Sequence, residues 1–428
     1  LYDKHLVALS TITNLPLSEI YEVATFYAHF NIIKNAETYE PLNVVRVCES
    51  LTCELFGAHK LLNDLKESEN KNIKVVSGPC MGRCDVAPTV CVGKNYVDQA
   101  SFKSVIETIK NNDFDAVIPN YIDLDQYRKN GGYKISGQVR EGMIDNDQII
   151  KTLKESGLKG KGGAGFPTGM KWEIVSKYEG KKYVAVNGDE GEPGTFKDRS
   201  YLEKDPHRFL EGALIASLFI KASNVYIYMR DEYPAVIKIL KDEILNLENE
   251  NIIPAGHFII RRGAGAYICG EESAMIESIE GKRGLPRHRP PYVAEVGLFN
   301  SPTLTNNLET LFWIRDIIEK GSEWFAEKGV SGNKGFHSFS VSGRVKEPGV
   351  KVAPAGVTIQ ELIDDYCGGM KENHIFKGYL PGGASGGILP ASMNNIPLDY
   401  GSKELTDAGC FLGSAAIVVL SDKDSMKD

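Results

Sequence analysis

The apolar residues at the front of the chain recur first at helical and then at strand spacing. Between residues 17 and 27 they return every three or four positions behind Asn14 and Pro16, which predicts helices within residues 1–40. Farther on, β-branched runs bounded by turn residues predict strands, and two amphipathic stretches predict helices. The predicted order is β-α-β-β-α, with strands at residues 44–47, 73–76 and 89–92 and helices at residues 55–65 and 102–109.

The rest of the chain changes to longer helices that alternate with apolar strands. Residues 116–135 hold Pro119, Asn130 and two glycines but few periodic apolar positions, so we interpret them as a linker. The alternation beyond predicts an α/β layered domain over residues 136–334, and strand pairs with one helix predict a small α+β unit over residues 335–428. The layered domain has predicted helices at residues 148–158, 208–222 and 233–247 and predicted strands at residues 183–186, 225–229 and 257–261.

Length and composition restrict the class of protein. A chain of 428 residues exceeds one ordinary core, since about 100–200 residues make a domain. The net charge of -8 offers no electrostatic surface for nucleic acid. The most apolar stretches, residues 209–222 and 411–420, are shorter than the roughly 20 residues that cross a bilayer. Without a signal segment, the eight cysteines favour a cytoplasmic protein with reduced or metal-bound thiols, which would reach a membrane only through partner subunits.

Four of the eight cysteines stand in two close pairs, with four and three residues between the partners. The first member of each pair follows a β-branched run, so both are expected at the ends of neighbouring strands, where four thiolates could converge on one metal centre. Spacings wider than a zinc knuckle favour a [2Fe-2S] cluster, while a zinc ion and simple packing cysteines remain alternatives. The pairs are Cys48 with Cys53 and Cys80 with Cys84, whereas Cys91, Cys269, Cys367 and Cys410 are scattered.

Residues 160–165 form a glycine-rich loop, Gly-Lys-Gly-Gly-Ala-Gly. They fit the G-x-G-x-x-G pattern of dinucleotide folds, but the predicted helix at residues 148–158 stands where that fingerprint needs a strand, and no Gly-Lys-Ser/Thr of a P-loop follows. The backbone amides together with Lys159, Lys161 and Lys171 nevertheless suit a phosphate or pyrophosphate. We therefore favour a phosphate cradle over a plain surface loop.

Two further loops follow predicted strands. Residues 187–194, Asn-Gly-Asp-Glu-Gly-Glu-Pro-Gly, come directly after the strand at residues 183–186, and residues 263–272 repeat the design after the strand at residues 257–261. A solvated corner is one explanation for so many carboxylates, and hydrogen bonding to ribityl, ribose or nicotinamide groups is the other. Two glycine-rich loops at strand ends indicate an extended ligand across the edge of the sheet.

Together these loops resemble the NADH-binding flavoprotein subunit of respiratory complex I. The resemblance rests on ordered motifs at residues 158–167, 187–194, 263–272 and 305–310. Residues 1–115, with Ala-Thr-Phe-Tyr at positions 24–27 and both cysteine pairs, resemble the thioredoxin-like [2Fe-2S] subunit of the same complex. Such a fusion is similar to the diaphorase (beta) subunits of soluble NAD-dependent formate dehydrogenases and of NAD-linked hydrogenases, and residues 80–85 resemble the formate dehydrogenase type more closely.

The resemblance implies roles for individual residues. The expected FMN ligands are the loop backbone and Lys171 at the phosphate end, and five side chains around the flavin: Gly162, Gly163, Gly165 and Lys171, then Asn187, Asp189, Tyr267, Asn306 and Asn307. For NADH it implies Phe166 stacked on adenine and, at other groups, Glu192, Glu271, Glu272, Arg289 and Tyr292. Arg289 stands where the family has Lys, Tyr292 where it has Phe, and Ile174 where it has a second aromatic residue. Cys48, Cys53, Cys80 and Cys84 would bind the [2Fe-2S] cluster.

The resemblance also implies the architecture. We expect an α/β protein with the helical prefix, a thioredoxin-like [2Fe-2S] domain over residues 41–115, the linker, an α/β FMN- and NADH-binding domain over residues 136–334 and a ubiquitin-like β-grasp domain over residues 335–428. The family's flavoprotein continues into a helical [4Fe-4S] domain whose Cys-x2-Cys-x2-Cys set has no counterpart here. We therefore expect a fragment at both ends, with a [4Fe-4S] cluster only in the missing C-terminal region.

The implied activity is that of an NADH dehydrogenase, or diaphorase. NADH releases a hydride, iron–sulfur clusters accept single electrons and FMN exchanges both, so stacking geometry carries the reaction and no protein residue is expected to be catalytic. The implied partners are the molybdenum or tungsten catalytic subunit of a formate dehydrogenase or the peripheral-arm subunits of complex I, with an NAD-linked hydrogenase as the alternative. A flavin-free two-substrate dehydrogenase and a non-catalytic iron–sulfur scaffold are rival hypotheses.

Overall fold

The computed structural model describes residues 1–33, 43–68 and 73–425. The helices predicted at the front are confirmed as α1 (Asp3–Thr13) and α2 (Leu17–Phe26), while residues 34–40 of the predicted prefix lie outside the described residues. The segment after α2 packs on a distant part of the chain, since the Tyr27 hydroxyl donates to the carbonyl of Lys282 over 2.7 Å. The prefix is therefore docked on the large α/β domain.

A four-stranded mixed sheet forms the core of the front domain. Its elements are β1 (Asn43–Cys48), α3 (Leu51–Leu55), α4 (Ala58–Glu67), β2 (Ile73–Gly78), β3 (Val90–Val92), β4 (Asn95–Val97) and α5 (Phe102–Lys110). The order is β2-β1-β3-β4, with β1 and β2 parallel and the other neighbours antiparallel. The three predicted strands are confirmed. The helix predicted at residues 55–65 is interrupted at Gly57, whose left-handed φ of 87° separates α3 from α4.

The stretch interpreted as a linker, residues 116–135, is packed against the large domain. It contains α6 (Leu124–Lys129) and the start of α7 (Lys134–Arg140). Leu124 and Tyr127 are buried, and the Tyr127 hydroxyl donates to Oε2 of Glu211 over 2.7 Å. Turn residues do mark this stretch, but the side chains between them hold it on the core.

The large domain is built on a parallel sheet. Its elements are α8 (Asn146–Ser156), α9 (Thr168–Ser176), β5 (Tyr183–Gly188), α10 (Lys197–Leu202), α11 (Pro206–Ile220), β6 (Asn224–Met229), α12 (Pro234–Asn249), β7 (Phe258–Arg262), α13 (Glu272–Ile279), β8 (Thr303–Asn307), α14 (Leu308–Lys320) and α15 (Ser322–Ala326). The strands lie in the order β7-β6-β5-β8, and every pair is parallel. Their carboxyl ends therefore share one edge, as in other open α/β sheets.

The predicted helices and strands of this domain are confirmed, whereas strand β8 and helices α9, α10, α13, α14 and α15 were not predicted. Strand β8, Thr-Leu-Thr-Asn-Asn, is too polar to stand out, and it is a strand because it pairs with β5 along its length. Helix α11 is buried nearly all round and crosses α14 closely, because a Cβ on Gly212 would lie 1.9 Å from the Leu311 carbonyl oxygen. No helix in the described ranges is long and apolar enough to span a bilayer.

A five-stranded mixed sheet forms the end of the described chain. Its elements are β9 (Phe336–Gly343), β10 (Gly349–Pro354), α16 (Ile359–Glu361), β11 (Phe376–Leu380), β12 (Leu389–Pro390), α17 (Lys403–Asp407) and β13 (Ala416–Ser421). The order is β10-β9-β13-β11-β12, with β9 and β13 parallel in the centre. Helix α16 continues as a π-helical turn, Leu362–Tyr366, and its apolar residues pack on the sheet. This topology agrees with the expected β-grasp fold.

Candidate functional site

The structure brings the four paired cysteines together at one end of the front sheet. Cys48 ends β1, Cys53 lies in α3, and Cys80 and Cys84 lie in the turn after β2. All four are buried, with the Sγ atoms of Cys80 and Cys84 3.5 Å apart. The Cys48 thiol faces both Cys53 and Cys80. The contacts thus run in a chain from Cys53 through Cys48 and Cys80 to Cys84.

This chain of thiols fits a two-iron cluster. Each iron of such a cluster takes two thiolates, whereas one zinc ion needs its ligands arranged around a single point. The contacts with Cys53 and Cys80 raise the pKa of the Cys48 thiol, and those with Cys48 and Cys84 lower the pKa of Cys80. The zinc alternative is thus the weaker one on geometry.

A cavity of about 730 Å³ opens between the glycine-rich loop and the carboxyl edge of the parallel sheet. Volumes of a few hundred to a thousand Å³ are usual for cofactor sites. Most of the predicted nucleotide-binding residues line it: Gly162, Gly165, Phe166, Lys171, Asn187, Glu271, Glu272, Arg289, Tyr292, Asn306 and Asn307. Ile174 also lines this large cavity. The strand ends and the loop that follows α8 therefore converge as the sequence predicted.

A small cavity of about 240 Å³ adjoins the large one, and its wall includes the predicted residues Gly163, Glu192 and Tyr267. Gly162, Asn187 and Asn307 line both cavities. Glu192 accepts hydrogen bonds from the Tyr267 hydroxyl at 2.5 Å and from the backbone N–H of Ser385 at 2.8 Å. Because Ser385 belongs to the β-grasp domain, that domain closes the small cavity.

Asp189, expected beside the flavin, lines neither cavity. Its side chain is buried, with the carboxylate near Gly191, Gly263 and Gly270, and its backbone N–H donates to Oδ1 of Asn187 over 3.1 Å. Burial raises the pKa of Asp189 to about 7. Asp189 therefore supports the loop from the side that faces away from the cavities. The alternation of apolar and polar residues along the chain does not predict this position.

The charged side chains of the large cavity pair with one another. The Lys171 ammonium donates to the Thr305 carbonyl over 3.1 Å and lies 3.6 Å from Oε2 of Glu272. Arg289 pairs with Glu271 and lies 3.2 Å from Oε1 of Glu272. Glu271 also caps α13 by accepting two backbone N–H groups. Two cations and two carboxylates thus meet where a polar, charged ligand would bind.

Two lysines that were expected to cradle a phosphate are used elsewhere. The Lys159 ammonium donates to Oδ2 of Asp399 over 2.8 Å. Lys161 forms part of the small cavity's wall, but its ammonium points into the β-grasp domain and donates to the Phe336 carbonyl at 2.5 Å and to Nδ1 of His337 at 3.0 Å. The expectation is therefore corrected: these lysines clamp the loop on its neighbour, and Lys171 is the lysine on the large cavity.

Two buried hydroxyls of the large cavity have no hydrogen-bond partner among the described residues. Oγ1 of Thr168 and Oγ1 of Thr305 are buried, both residues line the cavity, and neither atom has a hydrogen-bond partner among the described residues. Leaving a buried hydroxyl unpaired costs about 1–3 kcal/mol, so a ligand with polar groups would satisfy them. At Gly162, a Cβ would come within 3.2 Å of the Cβ of Asn307, so a larger residue would crowd the cavity wall.

These observations fit FMN, which has a phosphate, a polyhydroxyl chain and a ring with polar edges. Sequence reasoning missed both threonines. Thr305 could have been identified from the sequence, because it directly precedes the two asparagines of its motif. Nothing in the sequence pointed to Thr168.

A buried ion cluster holds Asn307 in place. Lys197 lies 2.9 Å from Oδ1 of Asp198 and 3.0 Å from Oε2 of Glu309, and burial opposes its charge while the two carboxylates keep the pKa of Lys197 above its usual value. Asn307 donates through Nδ2 to Asp198 over 2.7 Å and accepts the N–H of Glu309 at 3.0 Å as the cap of α14. The amide of Asn307 is thus committed to the scaffold. Neither Lys197 nor Glu309 was singled out from the sequence.

The fold and the site define a two-cofactor redox protein: a thioredoxin-like domain with four converging cysteines, joined to a parallel α/β domain with an extended cavity. Residues 1–113 match the family described as thioredoxin-like [2Fe-2S] ferredoxin. Residues 153–316 match the Nuo51 FMN-binding domain. Both matches cover the regions where the geometry places these sites.

Three similar proteins each match most of this chain. An F-type subunit of the NADH-quinone oxidoreductase of Rhizobium meliloti is 42% identical over 318 residues, which are 72% of this chain and 75% of the relative. The mitochondrial NADH dehydrogenase [ubiquinone] flavoprotein 1 of Dictyostelium discoideum is 39% identical over 330 residues, 73% of this chain and 68% of the relative. A chain of the air-oxidized NAD+-reducing [NiFe]-hydrogenase superposes with a TM-score of 0.83 at 28% identity, covering 98% of this chain and 75% of that chain.

The chain therefore belongs to the family of NADH-binding flavoproteins of the NADH-quinone oxidoreductases. The predicted family, fold class, oxidoreductase activity and cofactor set of FMN with a [2Fe-2S] domain are confirmed. The roles of the individual site residues and the formate dehydrogenase partner stay predictions.

Proposed function

We propose that this chain is the NADH-oxidising, electron-input subunit of a multi-subunit oxidoreductase. The observation that carries the proposal is the large cavity, which gathers most of the predicted FMN and NADH residues at one sheet edge. When bound there, FMN would exchange a hydride with NAD(H) and single electrons with iron–sulfur centres. The chain's own residues position, enclose and neutralise the ligands, and none is required as an acid or base.

Each part of the cavity has a proposed task. The backbone of Gly162 and Gly165 together with Lys171 suits the FMN phosphate, because amide donors and an ammonium complement an anion. Asn187 and the unpartnered hydroxyls of Thr168 and Thr305 suit the polar edge of the flavin and its ribityl chain.

The nucleotide would enter over exposed side chains. Phe166 and Tyr292 present rings that are 43% and 59% exposed at the large cavity, and Ile174 stands beside them. Exposed aromatic faces of this kind stack on bases. Glu192 and Glu272 offer carboxylate acceptors for ribose hydroxyls or the carboxamide. Asp189 and Asn307, whose polar groups serve the scaffold, shape the loop walls in this proposal.

The four cysteines would bind the [2Fe-2S] cluster, and its domain is fused to the flavin domain in one chain. The chain from the NAD+-reducing hydrogenase superposes on 98% of this chain, so its match includes both the cysteine-bearing domain and the flavin domain. The one-chain arrangement supports a partner of the NAD-linked, non-quinone type. A hydrogenase or a formate dehydrogenase catalytic subunit is thus proposed ahead of complex I peripheral-arm subunits. None of the eight cysteines, all of which lie within the described residues, is in a disulfide. Because reduced or metal-bound thiols are typical of the cytoplasm, a cytoplasmic location is part of the proposal.

The test is an anaerobic titration of the FMN-supplemented protein with NADH. We expect bleaching of the flavin band near ~450 nm together with iron–sulfur features. Thr305→Val keeps the shape and removes the hydroxyl, so it should weaken FMN binding by about fivefold, as expected for one lost hydrogen bond. Ser322→Ala, at a half-buried helix start outside both cavities, is the control. Absence of FMN uptake by the unaltered protein would support the non-catalytic scaffold instead.

A second experiment addresses the cluster and the partner. Cys84→Ala should abolish the electron paramagnetic resonance signal of the reduced [2Fe-2S] centre, while Cys91→Ala, at a buried thiol outside the group, should keep it. A signal that survives Cys84→Ala would contradict the ligand assignment. Purification of the native complex, followed by NAD+ reduction with formate or with hydrogen, then identifies the catalytic subunit.

A further inference from the structure

Two arginines of the flavin domain contact the turn that holds Cys80 and Cys84. Arg230, directly after β6, donates through Nη2 to the carbonyl of Cys80. Arg199, in α10, donates through Nε to the carbonyl of Gly82 over 2.8 Å. Both side chains are about 5% exposed. Two buried guanidinium groups from one domain thus enclose the proposed cluster ligands of the other.

The two arginines differ in how their charge is compensated. Arg199 lies 2.9 Å from Asp85 and 2.6 Å from Glu203, so two carboxylates neutralise it. Among the described residues, Arg230 has one carboxylate within 4 Å, that of Glu232 at 3.2 Å, and the buried Asp189 carboxylate acts on it from farther away. Arg230 consequently brings the less compensated positive charge to the cluster turn.

The turn that holds Cys80 and Cys84 is closely packed. Gly82 has a φ of 63°, and a Cβ there would lie 2.0 Å from the Tyr233 hydroxyl oxygen. Phe196, next to α10, is buried against Cys80 and Cys84. The other terminal nitrogen of Arg230 donates to the Glu190 carbonyl over 3.0 Å, and Glu190 lines the small cavity. One side chain therefore touches both the cluster turn and the wall of the flavin site.

We propose that Arg230 is a positioning residue that sets the reduction potential of the [2Fe-2S] cluster from the flavin domain. Reduction adds one negative charge to a cluster already surrounded by thiolates. A buried cation in contact with a ligand residue stabilises that charge, because the low-dielectric interior screens the attraction little. Arg230, which contacts the proposed ligand Cys80, raises the reduction potential, while Arg199, which contacts Gly82, holds the turn. The inference rests on the proposed cluster site at the four cysteines.

The test is a potentiometric titration of the full chain, with the resonance signal of the reduced cluster as the readout. Arg230→Met should disfavour reduction at least about tenfold, which lowers the midpoint potential by ~59 mV for one electron. Arg230→Lys keeps the charge and should restore most of the difference. Arg199→Lys, the matched control, keeps the charge but loses the Nε hydrogen bond to the same turn, so it should change the equilibrium less than about threefold.

The outcomes distinguish a failure of the proposed cluster site from a failure of the proposed role of Arg230. If the unaltered protein shows no cluster signal, the proposed cluster site fails. If the cluster forms and Arg230→Met leaves its potential unchanged, or if Arg199→Lys shifts it equally, the role of Arg230 is overturned. If Arg230→Met does not hold a cluster, the midpoint potential of Glu232→Gln is measured instead. Removing the counter-charge of Arg230 should shift that potential upward. An unchanged potential in Glu232→Gln would then overturn the inference.

Discussion

His337 is the residue at which pH should loosen the clamp on the glycine-rich loop. It is 1% exposed, accepts a hydrogen bond from the Lys161 ammonium at Nδ1 over 3.0 Å and donates through Nε2 to Asp399 over 2.6 Å. A proton on Nδ1 would face the ammonium directly. Burial and the charge of Lys161 therefore lower the pKa of His337 from 6.5 to about 4.

The sign and size of the effect follow from linkage. Because the folded-state pKa of His337 lies below the unfolded value, the neutral ring contributes stability that is complete above about pH 6.5 and is lost as the pH falls toward 4. One pKa unit corresponds to about 1.4 kcal/mol. The total loss is then about 3 kcal/mol, of which about 2 kcal/mol has gone by about pH 5.

Urea unfolding of the flavin-free protein at about pH 7.5 and about pH 5 measures this loss. Trp313 stacks on Phe336, next to His337, so tryptophan fluorescence reports on this region. His337→Gln preserves an acceptor and a donor but does not titrate, so it should lose about 2 kcal/mol less than the unaltered protein between the two pH values. His59→Gln, at an exposed position, is the control. Equal pH dependence in the unaltered protein and His337→Gln would refute the reasoning.

Two further predictions concern packing and buried charge. Glu309→Gln removes a carboxylate 3.0 Å from the buried Lys197 ammonium and should cost roughly 3 kcal/mol in the free energy of unfolding. Thermal melting followed by circular dichroism measures this loss. An unchanged melting temperature would contradict the importance of the pair. Gly212→Ala should cost roughly 1–3 kcal/mol, because its Cβ would lie 1.9 Å from the Leu311 carbonyl oxygen. Gly137→Ala, in α7 with nothing within 4 Å, should instead gain about 0.5–1 kcal/mol, and a loss of the same size in both variants would show that the close helix crossing is not the cause.

Much of the fold could be predicted because its strands and helices are long and regular in pattern. The strand at residues 183–186 is apolar throughout, as a strand covered on both faces must be, and α11 is marked by an apolar run behind Asp205 and Pro206. Strand β8 escaped prediction because Thr303, Thr305 and the asparagines carry no period. Its neighbour β5 supplies the hydrogen bonds that make it a strand.

The candidate site was predictable to the same degree. Cysteine spacing and the glycine-rich loop are local properties, and both the four thiols and the cavity were found where they indicated. The unpartnered hydroxyl of Thr168 was not predictable, since a threonine at a helix start is usual. Arg199 and Arg230 were also missed, because nothing near them in the chain reveals that they reach the turn of Cys80 and Cys84.

By itself, the sequence determined the kinds of element and the loops that approach the ligands, because these depend on residues close together in the chain. The two cofactor types were implied by its resemblance to a known family. The tertiary structure decided which side chains face the ligands. Lys161 and Lys171 look alike in the sequence, yet Lys161 is clamped by His337, 176 residues away, while Lys171 remains on the large cavity. The same is true of Asp189, whose carboxylate lies against Gly263 and Gly270 in the segment that follows β7. Such contacts join distant parts of the chain, and the energy that selects them arises only when the domains have packed.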